Sequence, residues 1–325
     1  MTNRNNHSNS FDFINYLQKY GTLTAIVIMV LIFTIINPQF MSINNILNIS
    51  LQFSFLAILA IGILFPMITG AFDLTGTEMV FFISAIGAGL IRAGITTSVP
   101  GVILAMIFVG IIIGFIKALI VTYLRLPSLL ATLAFGVSLA GIGRWYTKNR
   151  AIYIIGKLDS IALVAEGKLF GIPIPMVILF FLIIILYILL YKCSFGNRLY
   201  MMGGTELAAE ETSINVKFYQ TIAYVLSGVM GSISALIVMA RIRGANPDVG
   251  STFTIITIAS VFIGMTMFKR GEPNLLGTVL AVLMLSLITN GFVMIGLSIY
   301  IQDLVVGILI LTTVSVSVYL RRFKS

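Results

Sequence analysis

The stretch that decides the fold is Gly21–Phe72, GTLTAIVIMVLIFTIINPQFMSINNILNISLQFSFLAILAIGILFPMITGAF, which contains no Asp, Glu, Lys or Arg. A helix that crosses the hydrocarbon core of a bilayer needs about 20 apolar residues. This run is too long for one such helix. Asn37–Pro38 interrupts it, because the residue before a proline avoids the helical region. A first span is therefore predicted over about Leu23–Ile36 and a second over Leu51–Ile68. Met41–Asn48, polar but uncharged, is read as a short surface helix. Gly62 and Pro66 lie in the second span, and the segment GAFDLTGTE follows it. Proline and glycine are tolerated at membrane depth only where the freed backbone groups find partners. A broken helix is predicted near Pro66–Thr75.

A second uncharged run, Pro273–Gln302, makes the same point at the other end of the chain. Of the 325 residues, 59% are hydrophobic and 10% charged, where a soluble domain carries about 25% charge. The runs are unbroken, so the alternating ten-residue pattern of a membrane β-barrel is absent. The predicted fold is an all-α polytopic membrane protein with about ten transmembrane helices. Further spans are expected at Met79–Ile91, Val99–Ile116, Leu129–Gly143, Pro173–Tyr191, Tyr219–Ala240, Phe253–Met267, Asn274–Asn290 and Ile301–Leu320. Gly101, Gly110 and Gly114, and the Gly228–Ser232 run GVMGS, give small-residue faces for close helix contact. In Arg144–Gly171, the apolar pieces Ala151–Ile155 and Ile161–Ala165 are expected on the membrane surface, and Trp145, Tyr146 and Tyr153 as interface anchors.

About ten spans put both termini on one side. With that side cytoplasmic, 12 of the 20 Lys and Arg residues fall there, Lys117 and Arg125 among them, in keeping with the positive-inside bias. Residues 1–20 form a cytoplasmic polar tail without the layout of a cleavable signal peptide, and 21–325 the membrane domain. The net charge of +9 is spent in short links beside spans, where it faces lipid headgroups; no nucleic-acid partner is implied. Cys193 and His7 are the sole cysteine and histidine, so neither a disulfide nor a metal cluster is expected, and no cofactor is implied. No acid–base pair suggests an enzyme.

Gly196–Asn215, GNRLYMMGGTELAAEETSIN, is the longest strongly polar passage of the C-terminal half. Between two spans, it is where a soluble partner can grip the protein; the coupling loop is taken as about 196–217. Gly70–Ala71 with Asp73 after the second span and Gly244–Ala245 with Asp248 after the seventh suggest a five-plus-five internal repeat.

These segments resemble the permease subunits of bacterial ATP-binding-cassette importers for monosaccharides, the ribose/xylose/galactose branch. The family's G-G-x-D-L-S reads here Gly70-Ala71-Phe72-Asp73-Leu74-Thr75, and its P-x-x-x-A-T-L reads Pro127 to Leu133. Gly196, Gly203, Gly204, Ala208, Ala209, Ile214 and Asn215 match its cytoplasmic loop, and Tyr224-Val225-Leu226-Ser227-Gly228 the span after it. The resemblance extends over Ile46 to Arg322. Departures are Ala71, Thr212-Ser213 in place of Ser-Gly, the acidic Glu210-Glu211, and Thr252–Ala259 where an E-L-D-A-I-A-like run is usual.

The resemblance implies a multi-pass protein of the bacterial plasma (inner) membrane. It implies a separate cytoplasmic ATPase, an extracytoplasmic solute-binding protein and a second permease subunit as partners. The chain itself has no Gly-x-x-x-x-Gly-Lys-Ser/Thr loop. Glu206, Ala208, Ala209, Glu210, Glu211, Ser213 and Ile214 are then the candidate coupling residues. A carboxylate at membrane depth usually has a task, so Asp73 and Glu78, with Gly70 and Pro66, are candidates for gating or structural capping. A neutral sugar needs hydroxyls and amides along its path; Asn48, Gln52, Ser54, Thr132, Ser138, Thr257 and Asn290 are candidates. Arg144, Lys148, Arg241 and Arg243 face outward, toward a donor protein or anionic headgroups. An ion-coupled carrier and a non-transporting membrane partner or degenerate paralogue are the alternatives.

Overall fold

In a computed structural model, the protein is described over residues 24–203, 214–248, 251–268, 271–298, 300–302, 304–308 and 311–312. Two compact units divide the chain: Ser50–Ile258, and Met1–Ile49 with Ala259–Ser325.

Helix α1 covers Thr24–Ile36. Asn37 ends it and starts a short 3-10 turn, Pro38–Met41, its side chain accepting from the N–H of Gln39. Helix α2 follows over Ile43–Ile68. The surface helix expected at Met41–Asn48 is thus no separate element, because Ser42 Oγ accepts the N–H of Asn45 at 3.3 Å and starts one continuous helix there. The break predicted near Pro66–Thr75 is present: residues 69–75 are not helical, and α3 begins at Gly76 and runs to Arg92.

Helix α4, Val99–Ala118, is capped by Ser98 and continues into a π turn, Leu119–Tyr123. Helix α5 spans Ser128–Thr147. Strand β1 (Ile152–Tyr153), helix α6 (Leu163–Glu166), strands β2 (Lys168–Leu169) and β3 (Ile172–Pro173), then helices α7 (Ile174–Tyr191) and α8 (Ser194–Met202) follow. Asn215 caps α9, Val216–Ile242, and strand β4 is Gly244–Ala245. Helices α10 (Ser251–Gly264) and α11 (Leu275–Met294) follow, and residues 300–302, 304–308 and 311–312 are helical as well.

The fold is helical but not purely so. β1 pairs antiparallel with β4, Ile152 opposite Ala245, and β2 pairs with β3. Ile154, Ile161 and Ala165 are buried. Tyr153, Ile155 and Leu163 of the same apolar pieces are exposed, so each piece turns one face into the protein and the other outward. The backbone after α5 finds its hydrogen-bond partners in the turn after α9, and unpaired backbone in such a place would be costly.

Among the described residues, six helices are long and apolar enough to cross a membrane: α2, α4 with its π turn, α5, α7, α9 and α11. α1 and Phe253–Gly264 are shorter apolar helices. Their burial differs in a way that sorts them. In α2 and α9, 89% and 72% of the apolar window is buried; in α4, α5 and α7 the shares are 28%, 22% and 22%. Leu104, Phe108, Phe180 and Phe181 stand exposed on the latter helices. So large an apolar exterior suits lipid and not water.

Within Ser50–Ile258, α9 packs most extensively on α4, then on α3. Glycines set the approach of α4 to α9. A Cβ on Gly114 would stand 2.5 Å from the Tyr224 carbonyl oxygen and 2.6 Å from Val225 Cα, and one on Gly110 would meet the Gly228 backbone. Gly101, expected in the same face, packs instead against its own loop, near Thr96 and Ser98. In the other unit, Phe33, Phe40, Ile49 and Leu287 form a small core. Asn274 ties the turn before α11, donating to the carbonyls of Gly264 and Met267 and accepting from the N–H of Gly277.

Candidate functional site at a helix break

Pro66 has no N–H to give, and the chain leaves α2 two residues after it. The Pro66 carbonyl accepts from the N–H groups of Thr69 and Ala71, both at 3.0 Å, and from Thr69 Oγ1 at 2.8 Å. Gly70 takes a positive φ of 83° to close the turn, a conformation a side chain would resist. Beyond it the backbone leans on neighbouring helices. Phe72 N–H donates to Ser128 Oγ and Leu74 N–H to Thr132 Oγ1, each at 3.0 Å, while Tyr224 Oη donates to the Phe72 carbonyl at 2.9 Å. Non-helical backbone at this depth is sustained by such partners.

The centre of the break is charged. Asp73 and Lys117 are both fully buried and form an ion pair at 2.5 Å. The Lys117 ammonium also donates to Ser227 Oγ at 3.0 Å and Thr75 Oγ1 at 3.3 Å, and lies 5.9 Å from the Tyr224 ring centroid. Ser227 Oγ donates onward to Asp73 Oδ2 at 2.5 Å. The other carboxylate oxygen accepts from the N–H and hydroxyl of Thr75, at 3.1 and 2.6 Å. Every donor of the ammonium and both oxygens of the carboxylate are engaged, so the cluster is neutral and saturated. Burying either charge alone would be strongly unfavourable.

Two expectations need correction. Lys117, placed with the cytoplasmic cations from its position at the end of an uncharged run, is 1% exposed. It faces inward because Asp73 is otherwise without a counter-charge, and α4 carries it there about 9 Å short of the Tyr123 end, at 1.5 Å per residue. Asp73 does not sit at the helix cap. Thr75 occupies the N-cap of α3 without a side-chain cap bond, and Asp73 holds Thr75 itself. Glu78 lies in the first turn of α3, half-buried, with Oε2 lacking a hydrogen-bond partner.

The path candidates find these settings. Thr132 is buried at the break, donating to Ser128 O as it accepts from Leu74. Thr257 is buried and donates to its own helix at Phe253 and Thr254. Ser138 is exposed and donates to Ala134. Ser54 donates to Ser50. Asn48 is exposed and Gln52 half-buried on α2. Asn290 exchanges amide hydrogen bonds with Asn45 at 2.9 and 3.0 Å. Of the four cations expected to face outward, Arg243 pairs with Glu166 at 3.1 Å.

Gly196–Asn215 begins as α8, with Gly196 pressed against the Leu190 backbone. Glu206, Ala208, Ala209, Glu210, Glu211 and Ser213 lie outside the described residues. Ile214 is half-buried, and its carbonyl accepts the N–H of Val216 at 2.9 Å. Beside the break, a cavity of about 470 Å³ is walled by Thr69–Ala71, the π turn, Arg125, Ser128 and the start of α9.

Lys117 and Asn45 are the residues that reading the sequence missed. A buried carboxylate in an uncharged segment is itself a signal that a cation must come to it. Ser227 and Tyr224 stood in the quoted Tyr224–Gly228 motif, without an assigned role.

A profile of the family described as "Branched-chain amino acid transport system / permease component" matches residues 45–314. The chain is 32% identical over 313 residues to the ribose import permease protein RbsC of Bacillus subtilis, covering 96% of this chain and 95% of the relative. It is 29% identical to the RbsC of Haemophilus influenzae, over 98% and 99% of the two. To the D-allose transport system permease protein AlsC of Escherichia coli it is 28% identical, over 94% and 93%. With the profile covering most of its length and these relatives aligned nearly end to end, the chain belongs to the family of branched-chain amino acid transport system permease components.

Proposed function

We propose that this protein is the membrane-spanning permease subunit of an ATP-binding-cassette importer for a monosaccharide. The observation that carries the reading is the near full-length similarity to permeases named for ribose and allose transport. A cytoplasmic ATPase supplies the energy, an extracytoplasmic binding protein delivers the sugar, and a second permease subunit completes the path. The chain crosses the plasma membrane about ten times as two five-helix halves, with both termini in the cytoplasm. Glu206, Ala208, Ala209, Glu210, Glu211, Ser213 and Ile214 transmit force from the ATPase.

The Asp73 break acts as the gate's rigid corner. Its support is chemical. A saturated ion pair clamps the segment between α2 and α3 to α4 and α9, so these elements move together or the clamp opens at high cost. Asn48, Gln52, Thr132, Ser138, Thr257 and Asn290 are proposed to offer polar groups to the passing sugar.

Reconstitution with the ATPase and binding protein tests the reading. ATP-dependent uptake of labelled ribose or allose that survives an uncoupler is the expected result. Replacing Ala208 and Ala209 by bulky residues abolishes uptake while the complex still assembles. Uptake that needs no ATP and collapses with the proton gradient would establish the ion-coupled carrier instead.

A further inference from the structure

A buried threonine in an α-helix commonly donates its hydroxyl proton to the carbonyl four residues back. Thr132, Thr257, Thr278 and Thr289 do so here, at 2.7–3.0 Å. Thr122 does not. It is 6% exposed and its Oγ1 has no hydrogen-bond partner. The cause is local: Thr122 sits in the π turn, where Leu124 N–H reaches five residues back to Leu119 at 3.0 Å. An unmade buried hydroxyl costs about 1–3 kcal/mol, and π turns recur at functional sites.

Thr122 is one of the residues lining the cavity of about 470 Å³, together with Thr69, Arg125, Ser128, Lys217 and Gln220. Arg125 and Lys217 bring two positive charges, and no Asp or Glu is among the described residues lining it. Ser128 Oγ accepts from Phe72 and keeps its own proton to give. A guanidinium, an ammonium, two available hydroxyls and an amide are the donor set that a phosphate oxyanion needs. The cavity is larger than one phosphate group requires. Tyr123, Leu124, Leu126 and Leu130 stand exposed beside it, an apolar apron at the end of a membrane helix.

We propose that the cavity at the π turn binds a phosphate oxyanion through Thr122, Arg125, Ser128 and Lys217, and that its natural source is an anionic phospholipid headgroup whose acyl chains lie on the Tyr123–Leu130 apron.

The test uses the full-length chain in nanodiscs of phosphatidylcholine, titrated with labelled dihexanoyl phosphatidylglycerol and, separately, with labelled inorganic phosphate. Saturable binding of the lipid is expected, weakened about tenfold by the double change R125Q/K217Q and about threefold by T122V. The paired change K157Q/K168Q, which removes equal charge at two exposed lysines elsewhere, leaves it unaltered. Saturable binding of phosphate alone, with the same losses, keeps the site and assigns it to a soluble phosphate ester. T122V conserves shape, so it reports on the site even if the double variant fails to fold. Saturable binding of neither probe would overturn the proposal. So would an equal loss in K157Q/K168Q, because attraction to surface charge in general would then explain the result.

Discussion

Gly70–Ala71 with Asp73 follows α2, and Gly244–Ala245 with Asp248 follows α9; the two turns share a sequence pattern and differ in almost everything physical. Asp73 is sealed among helices, with Lys117, Ser227 and Thr75 on its oxygens. Asp248 is exposed in a turn where its N–H donates to Asn246 Oδ1. The backbone of the first turn is held by side chains of α5 and α9. That of the second is held by a two-residue strand pair with Ile152–Tyr153. A carboxylate beside a break is therefore no guide to function by itself. Burial turns it into a demand for a counter-charge, and the helices that meet the demand become mechanically linked.

The sharpest way to break this contrast is to remove one charge. Lys117→Met leaves the Asp73 carboxylate buried and unpaired, which costs about 3–5 kcal/mol. Unfolding in lipid should show the loss, with uptake abolished. The double change D73N/K117M restores most of the stability, since a neutral pair of similar size avoids the desolvation penalty. If it restores stability without uptake, the pair serves gating and not merely folding. The same test at Asp248→Asn should leave stability unchanged.

A second test widens the helices rather than discharging them. Gly228→Val puts a side chain where the Gly110 backbone already stands. Overpacking of this kind costs about 1–3 kcal/mol, read as a lower unfolding midpoint. Next in size, Tyr224→Phe removes the hydroxyl that donates to the Phe72 carbonyl and should cost about 0.5–1.5 kcal/mol for the hydrogen bond lost. The loss shrinks toward zero if water enters from the neighbouring cavity.

Much of this was legible from residues alone. Uncharged runs marked the membrane-length helices α2 and α11, and Pro66 with Gly70 marked the break, because both signals are local to the chain. Lys117 was misplaced for the opposite reason. Its position near a span end fits a cytoplasmic cation, and only the meeting of α4 with a segment 44 residues earlier turns it inward. Asn290 was visible as a polar residue in a span, but its partner Asn45 lies 245 residues away. The strand pair of Ile152–Tyr153 with Gly244–Ala245 escaped for lack of periodicity: two residues carry no alternation to read.

The smallest expected effect lies on the Asp248 side. Arg243 reaches from the end of α9 to Glu166 with both oxygens at 3.1 Å, and the two side chains are 40% and 55% exposed. Water screens such a pair, so Arg243→Gln should cost no more than about 1 kcal/mol, less as salt is raised. Arg243 also adopts a left-handed backbone, φ 50°, which glycine favours. Arg243→Gly removes the ion pair and relieves that conformation together. Its net effect should fall below that of Arg243→Gln when unfolding is compared at low and high salt. A loss at high salt as large as that of Lys117→Met would show that the outer strap is as stringent as the buried clamp, and the contrast between the two turns would fail.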